Sequence, residues 1–169
     1  MPAEVSTNLA RLDGIRYGHA ARGNTLLDDY ILSRTEGFGE ETSRRILLGT
    51  FVLSSGYIDA YYRKADAARA LLRREYDAAF ERSDVIAFPT TPSPAFKFGE
   101  KSDPLSMYLG DIFTVTANLT GMPALSVPMG TVPRDGKQLP VGIHFTAPHQ
   151  AEAVLFAVGA AVEKAVSVY

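Results

Sequence analysis

The sequence predicts an α/β domain, a layered mixed β-sheet flanked by helices, and three observations lead there. Helical and strand periodicities follow one another in the order helix, helix, strand, helix, strand, strand, helix. Residues 103–130 contain a helix start, a helix stop and the strand that follows. With 46% hydrophobic and 21% charged residues, a chain of 169 residues can bury a sizeable core. The expected organisation is a single domain over 1–169.

Each element follows from local chemistry. Residues 1–35 hold glycine turns at Asp13-Gly14 and Arg22-Gly23 with short apolar runs between them, which reads mostly as loop. Residues 38–53 are apolar on nearly every side beyond Arg45, as in a helix buried on more than one face, its arginines entering protein. Ser54-Ser55-Gly56 interrupts. A second helix over 57–82 places Ile58, Tyr61, Ala65, Ala68, Leu72, Tyr76 and Ala79 on one side. Its opposite side carries Arg63, Lys64, Arg69, Arg73 and Arg74 among Asp66, Glu75 and Asp77, which reads as a solvated face rather than an RNA contact.

Residues 84–88 form a short β-rich run ending at Pro89, Pro92 and Pro94, a buried strand entering a rigid loop. Asp103 is an N-cap with Pro104 at the first helical position. Leu105, Tyr108, Leu109, Ile112, Val115 and Leu119 then make one apolar stripe expected to lie on a core. Gly121 and Pro123 stop that helix, and Leu125 and Val127 alternate with Ser126 in a short strand closed by Pro128. After an Asp135-Gly136 turn, Val141, Ile143 and Phe145 alternate with Gly142, His144 and Thr146, so the two strands should pair antiparallel. Residues 151–166 repeat apolar positions as a terminal helix packed on the sheet.

Composition excludes several chemistries. The chain has no cysteine, so disulfides, thiolate nucleophiles and zinc-thiolate sites are absent, and His19, His144 and His149 lack metal-ligand spacing. A net charge of −2 argues against an autonomous nucleic-acid binder. No apolar run approaches the roughly 20 residues that span a bilayer, and the N-terminus lacks the character of a secretory signal, so a cytoplasmic chain without membrane contact is expected. No G-x-S-x-G elbow or glycine-rich phosphate loop occurs. Ser54-Ser55-Gly56 sits in helical surroundings, where a local break is the simpler account. On spacing alone, Glu40 and Glu41 pair with Arg44 and Arg45 as helix salt bridges, and Asp111 is a solvated acid.

Four stretches carry a resemblance: STNLARLDGIRYG at 6–18, TEGFGEETSRRILLGTFVLSSGYIDAYYRKA at 35–65, DVIAFPTTPSPAF at 84–96 and DPLSMYLGDIFTVTANLTGMPALSVP at 103–128. They resemble the C-terminal part of the A subunits of glutamyl-tRNA(Gln)/aspartyl-tRNA(Asn) amidotransferases, in the amidase signature family. The resemblance implies a subunit that hydrolyses glutamine and passes ammonia to partner subunits. These amidate Glu-tRNA or Asp-tRNA using ATP and Mg²⁺, so tRNA contact would be indirect and this chain would carry no cofactor.

The family's Ser-cisSer-Lys triad lies in an N-terminal Gly/Ser-rich signature that this sequence does not contain, so no catalytic residue is carried over and the chain looks truncated. Two positions match binding residues. Arg45 of SRRILLG resembles the ligand of the glutamine α-carboxylate, with Arg44 as the alternate by one register step. Asp111 of MYLGDIFT resembles the ligand of the α-ammonium. A non-catalytic partner-binding module and a non-tRNA amidase of the same family remain the alternatives.

Overall fold

The computed structural model describes residues 2–54 and 56–166, which form two compact units dividing between Ala68 and Arg69. The first unit is helical: α1 (Pro2–Leu9), α2 (Leu26–Gly37), α3 (Glu40–Leu53), a π-helical turn (Ile58–Arg63) and the start of α4 (Lys64–Phe80). The second unit holds the rest of α4 and then β1 (Ile86–Pro89), α5 (Pro104–Tyr108), a 3₁₀ turn (Leu109–Asp111), α6 (Val115–Thr120), β2 (Ala124–Arg134), β3 (Lys137–Thr146) and α7 (Glu152–Val166).

Residues 1–35 are not mostly loop, because α1 and α2 lie in them. The signal for α2 is a reciprocal capping box: Thr25 Oγ1 accepts the Asp28 N–H while the Asp28 carboxylate accepts the Thr25 N–H. Asp13 and Gly14 do form a turn. The Asp13 carboxylate accepts the N–H groups of Ile15 and Arg16 at 3.0 Å each, and Gly14 adopts φ +77°. In α3, Gly49 allows α1 to lie against the helix backbone; a Cβ there would stand 2.2 Å from the Pro2 carbonyl oxygen. The rest of α3 departs from expectation. Gly49 is its one buried residue, and Leu47 is 71% exposed, so neighbours do not cover the helix on several faces.

The second unit packs α7 on one face of a three-stranded sheet of order β1-β3-β2. Val127, Phe145, Ala147 and Leu155 are its buried centre, with Leu125, Ile143, Val158 and Val162 around them. The layered α/β class holds, while the described strands pair antiparallel throughout rather than as a mixed sheet. The reason is topological. A two-residue turn, Asp135-Gly136 with both φ positive, joins β2 to β3, and β1 runs antiparallel along the other edge of β3.

Pro128 does not close β2. The strand continues to Arg134 after a register shift between Pro128 and Gly130, which an edge strand tolerates because its outward N–H groups need no ladder partner.

The single helix expected over 103–119 is broken into α5, the 3₁₀ turn and α6. Its start and stop are as expected: Asp103 accepts the Ser106 N–H at 2.9 Å, and Gly121 adopts φ +77°. The apolar stripe, however, does not lie on a core, since Leu105, Leu109 and Ile112 are all more than half exposed. Its last members, Val115 and Leu119, are half-buried, and the buried residues of α6 are Ala117 and Thr120, outside the stripe. The helix expected over 57–82 likewise opens on a π-helical turn before α4, with Ile58 and Tyr61 exposed and Tyr76 buried.

Candidate functional site

Arg45 lies in the first half of α3, one turn before Gly49. Its Nε donates to Glu41 Oε1 at 2.7 Å, and its side chain is 31% exposed. Arg44 pairs with Glu40 at 2.7 Å and also with Glu41. The helical salt bridges read from spacing therefore exist. Pairs of this kind on a helix surface are worth only about 0.3–0.5 kcal/mol.

Asp111 ends the 3₁₀ turn, exposed to solvent. Its carboxylate takes no hydrogen bond or ion pair from any described residue. Its main chain, in contrast, is fixed. The Thr114 N–H and hydroxyl both donate to the Asp111 carbonyl, at 3.0 and 3.2 Å. The Asn118 side chain donates to the Thr114 carbonyl, and the Thr116 hydroxyl donates to that of Phe113. Short polar side chains thus take up carbonyls that the interrupted helix leaves open, the competition with helical bonding that Thr and Asn are suited to.

The Phe113 ring stacks on Phe88 of β1 with centroids 6.2 Å apart, the Tyr76 hydroxyl donates to Thr116 Oγ1 at 2.9 Å, and Arg73 donates twice to the Thr120 carbonyl. These contacts tie the turn bearing Asp111 to the sheet and to α4.

Sequence reasoning missed a polar strap on the sheet face away from α7. Thr90 Oγ1 and Ser126 Oγ lie 2.6 Å apart, bridging over Gly142 of β3. A Cβ at Gly142 would stand 2.7 Å from the first and 3.0 Å from the second, so the bridge requires glycine. The signal was present in the sequence as Gly142 inside an otherwise alternating strand.

Ser126 also faces His144 across the ladder, yet its hydroxyl is engaged by Thr90. His144 is buried, its Nε2 lies 3.5 Å from Thr146 Oγ1, and burial pulls its pKa below the usual histidine value. Ser54 Oγ donates to the Phe51 carbonyl, as a helix-end residue does, and Ser55 lies outside the described residues. Among the described residues no trio of His, Asp or Glu gathers as for a metal ion, and no helix is long and apolar enough to cross a membrane.

Arg45 thus stands on a helix of the first unit, paired with Glu41, and Asp111 on a pinned turn of the second. Comparison with known proteins assigns the class of the chain. Residues 1–156 match the Amidase family model, and the chain belongs to that family.

Within it, the chain is 54% identical over 165 residues to the A subunit of the glutamyl-tRNA(Gln) amidotransferase of Geobacillus kaustophilus, covering 96% of this chain and 33% of that one. It is 58% identical over 163 residues to the A subunit of the Acidobacterium capsulatum glutamyl-tRNA(Gln) amidotransferase, covering 95% and 34%. The chain therefore spans about a third of the length of the curated relatives it matches. The crystal structure of the A subunit from Thermotoga maritima superposes with a TM-score of 0.53 at 42% identity, over 73% of this chain and 27% of that one. A 6-aminohexanoate cyclic dimer hydrolase, 18% identical, shares the fold with a TM-score of 0.60 over 98% of this chain and 33% of its own. The likeness to amidotransferase A subunits read from the four sequence stretches is thus borne out.

Proposed function

We propose that this chain is the C-terminal portion of the glutamine-hydrolysing subunit of a tRNA-dependent amidotransferase, and that it supplies the substrate-recognition walls of the glutaminase. The whole enzyme would hydrolyse glutamine to glutamate and ammonia. Partner subunits would use the ammonia, with ATP and Mg²⁺, to amidate Glu-tRNA(Gln) or Asp-tRNA(Asn) in the cytoplasm. On this reading the nucleophile lies elsewhere in the subunit: covalent catalysis needs an activated hydroxyl within reach of its base, and none is identified among the described residues.

The observation that carries the reading is Asp111: an exposed carboxylate without a partner among the described residues, on a backbone pinned by Thr114 and Phe113, inside the MYLGDIFT motif. Free glutamine is a zwitterion whose amide end reacts while its α-carboxylate and α-ammonium fix its position. An ammonium has donors and no acceptor, which is what an unpaired carboxylate accommodates. Arg45 offers the planar fork that suits a carboxylate, with Glu41 holding its place until substrate arrives.

The test is a chimera in which this chain replaces the corresponding stretch of the Geobacillus kaustophilus protein, assembled with that enzyme's own partner subunits. Glutamine-dependent amidation is expected to be retained. An assembled chimera that amidates with ammonia but never with glutamine would contradict the proposal.

A further inference from the structure

At the β2–β3 hairpin, a cavity of about 410 Å³ lies beside the loop that precedes α5, and neither Asp111 nor Arg45 lines it. Ala95, Phe96 and Leu139 give it an apolar wall, and Lys97, Lys137, Arg134 and Asp135 its polar one. The cavity is held in shape from both sides. Arg134 donates to the Pro94 and Ala95 carbonyls and pairs with Glu100, whose carboxylate also accepts the Lys97 N–H at 2.7 Å. Lys97 pairs with Asp135 in the hairpin turn at 2.8 Å, joining loop to hairpin a second time.

Two cations are left over. Lys137 takes no ion pair from any described residue, and the Lys101 ammonium sits over the Phe96 ring, 4.6 Å from its centroid, without a carboxylate among the described residues. Four cations against two acids make this a positive patch on a chain of net charge −2.

From this we infer that the cavity is a docking site for a short acidic segment of a partner protein, one apolar side chain entering between Phe96 and Leu139 while flanking carboxylates meet Lys137 and Lys101. The volume is within the usual range for a pocket, about 300–1,000 Å³, and an apolar wall rimmed by charge fits an anchor residue with acidic neighbours. Charge complementarity selects the partner. A nucleic acid would meet the same lysines, but the chain's overall negative charge opposes a long polyanion, and the apolar wall suits a side chain better than a phosphate backbone.

The experiment uses the chimeric subunit described above, selectively ¹⁵N-labelled at Phe, Lys and Leu, and the peptide N-acetyl-Glu-Asp-Phe-Glu-Asp-amide as probe. Saturable amide shifts are expected at Phe96, Lys97, Lys137 and Leu139, with affinity falling as salt is raised. The neutral analogue with Gln and Asn in place of the acids should bind at least about tenfold more weakly, and Lys137→Glu should weaken the acidic peptide by a similar factor. Leu139→Ser, with unchanged spectra elsewhere in the sheet, tests the apolar wall and should also weaken it. Shifts absent from the cavity, equal affinity for the neutral peptide, or tighter binding of a single-stranded RNA oligonucleotide at the same residues would overturn the inference.

Discussion

Replacing Gly49 by alanine puts two effects of known size in opposition. In an ordinary exposed helix the change stabilises by about 1 kcal/mol, because glycine is the poorer helix former. In α3 the added Cβ would lie 2.2 Å from the Pro2 carbonyl oxygen, 2.5 Å from Ser6 Oγ and 2.6 Å from Ser6 Cβ, where real Cβ atoms stay beyond 3.0 Å. The Ser6 side chain cannot relieve the contact with a main-chain oxygen, so α1 must move off α3 by nearly an ångström. Overpacking of this kind costs about 1–3 kcal/mol, which exceeds the propensity gain.

Because the chain has two compact units, one melting temperature would average over them, and amide hydrogen exchange is the better assay. Protection in α1 and in the facing half of α3 should fall by about tenfold or more, a net cost near 1.4 kcal/mol. Amides of β2 and β3 should keep theirs. If Gly49→Ala raises protection in α1 and α3, as propensity alone would have it, the close approach of these helices is wrong.

Arg73→Gln removes charged donors from the Thr120 carbonyl and should cost the second unit about 1–2 kcal/mol, read as loss of exchange protection in α6. The backbone N–H groups of Arg16 and then Ile15 hold the Asp13 pKa down, to about 2 from an ordinary 3.8. A depressed carboxylate stabilises the fold above its unfolded pKa and loses that contribution as pH falls. The first unit should therefore weaken between about pH 4 and pH 2, and Asp13→Asn should flatten that part of its pH–stability curve. Leu47, Phe51, Leu105 and Leu109 are all at least 46% exposed, so the isolated chain should bind an apolar dye and self-associate on sedimentation; a monodisperse chain that binds no dye would contradict the exposure described.

Much of the second unit was legible because its signals are local. Asp103-Pro104 and Gly121 bound a helical segment, Asp135-Gly136 folds a hairpin, and Val141, Ile143 and Phe145 alternate along it. Terminal helix α7 appears within one residue of its expected range.

The misreadings have two causes. One is polar chemistry that periodicity does not register: the Thr25–Asp28 capping box announces α2 in a stretch read as loop, and the bonding of Thr114 to the Asp111 carbonyl accompanies a break where the apolar stripe ran on. The other is that apolar spacing says a face is to be covered, not what covers it. The faces of α3 and α5 are as apolar as the sequence indicates, yet Leu47 and Leu105 stand in solvent. For the site, Asp111 and Arg45 came from motif likeness. Spacing alone supported the salt bridges that the structure does contain, and the Thr90–Ser126 strap depends on strand register that no single stretch reveals.

The central claim, that Arg45 and Asp111 recognise the charged end of glutamine, is tested most directly in the chimera, assembled with its partners. Asp111→Asn and Arg45→Ala are each compared with the parent in two reactions, one supplied with glutamine and one with ammonia. Losing one partner of a desolvated charge pair costs about 2–5 kcal/mol, so kcat/KM for glutamine should fall by roughly thirtyfold to several thousandfold. The ammonia-supplied reaction should keep its rate, because added ammonia bypasses the glutamine pocket. Variants that retain the parental kcat/KM for glutamine, or that lose both reactions equally, would show these two residues to be structural and would contradict the account.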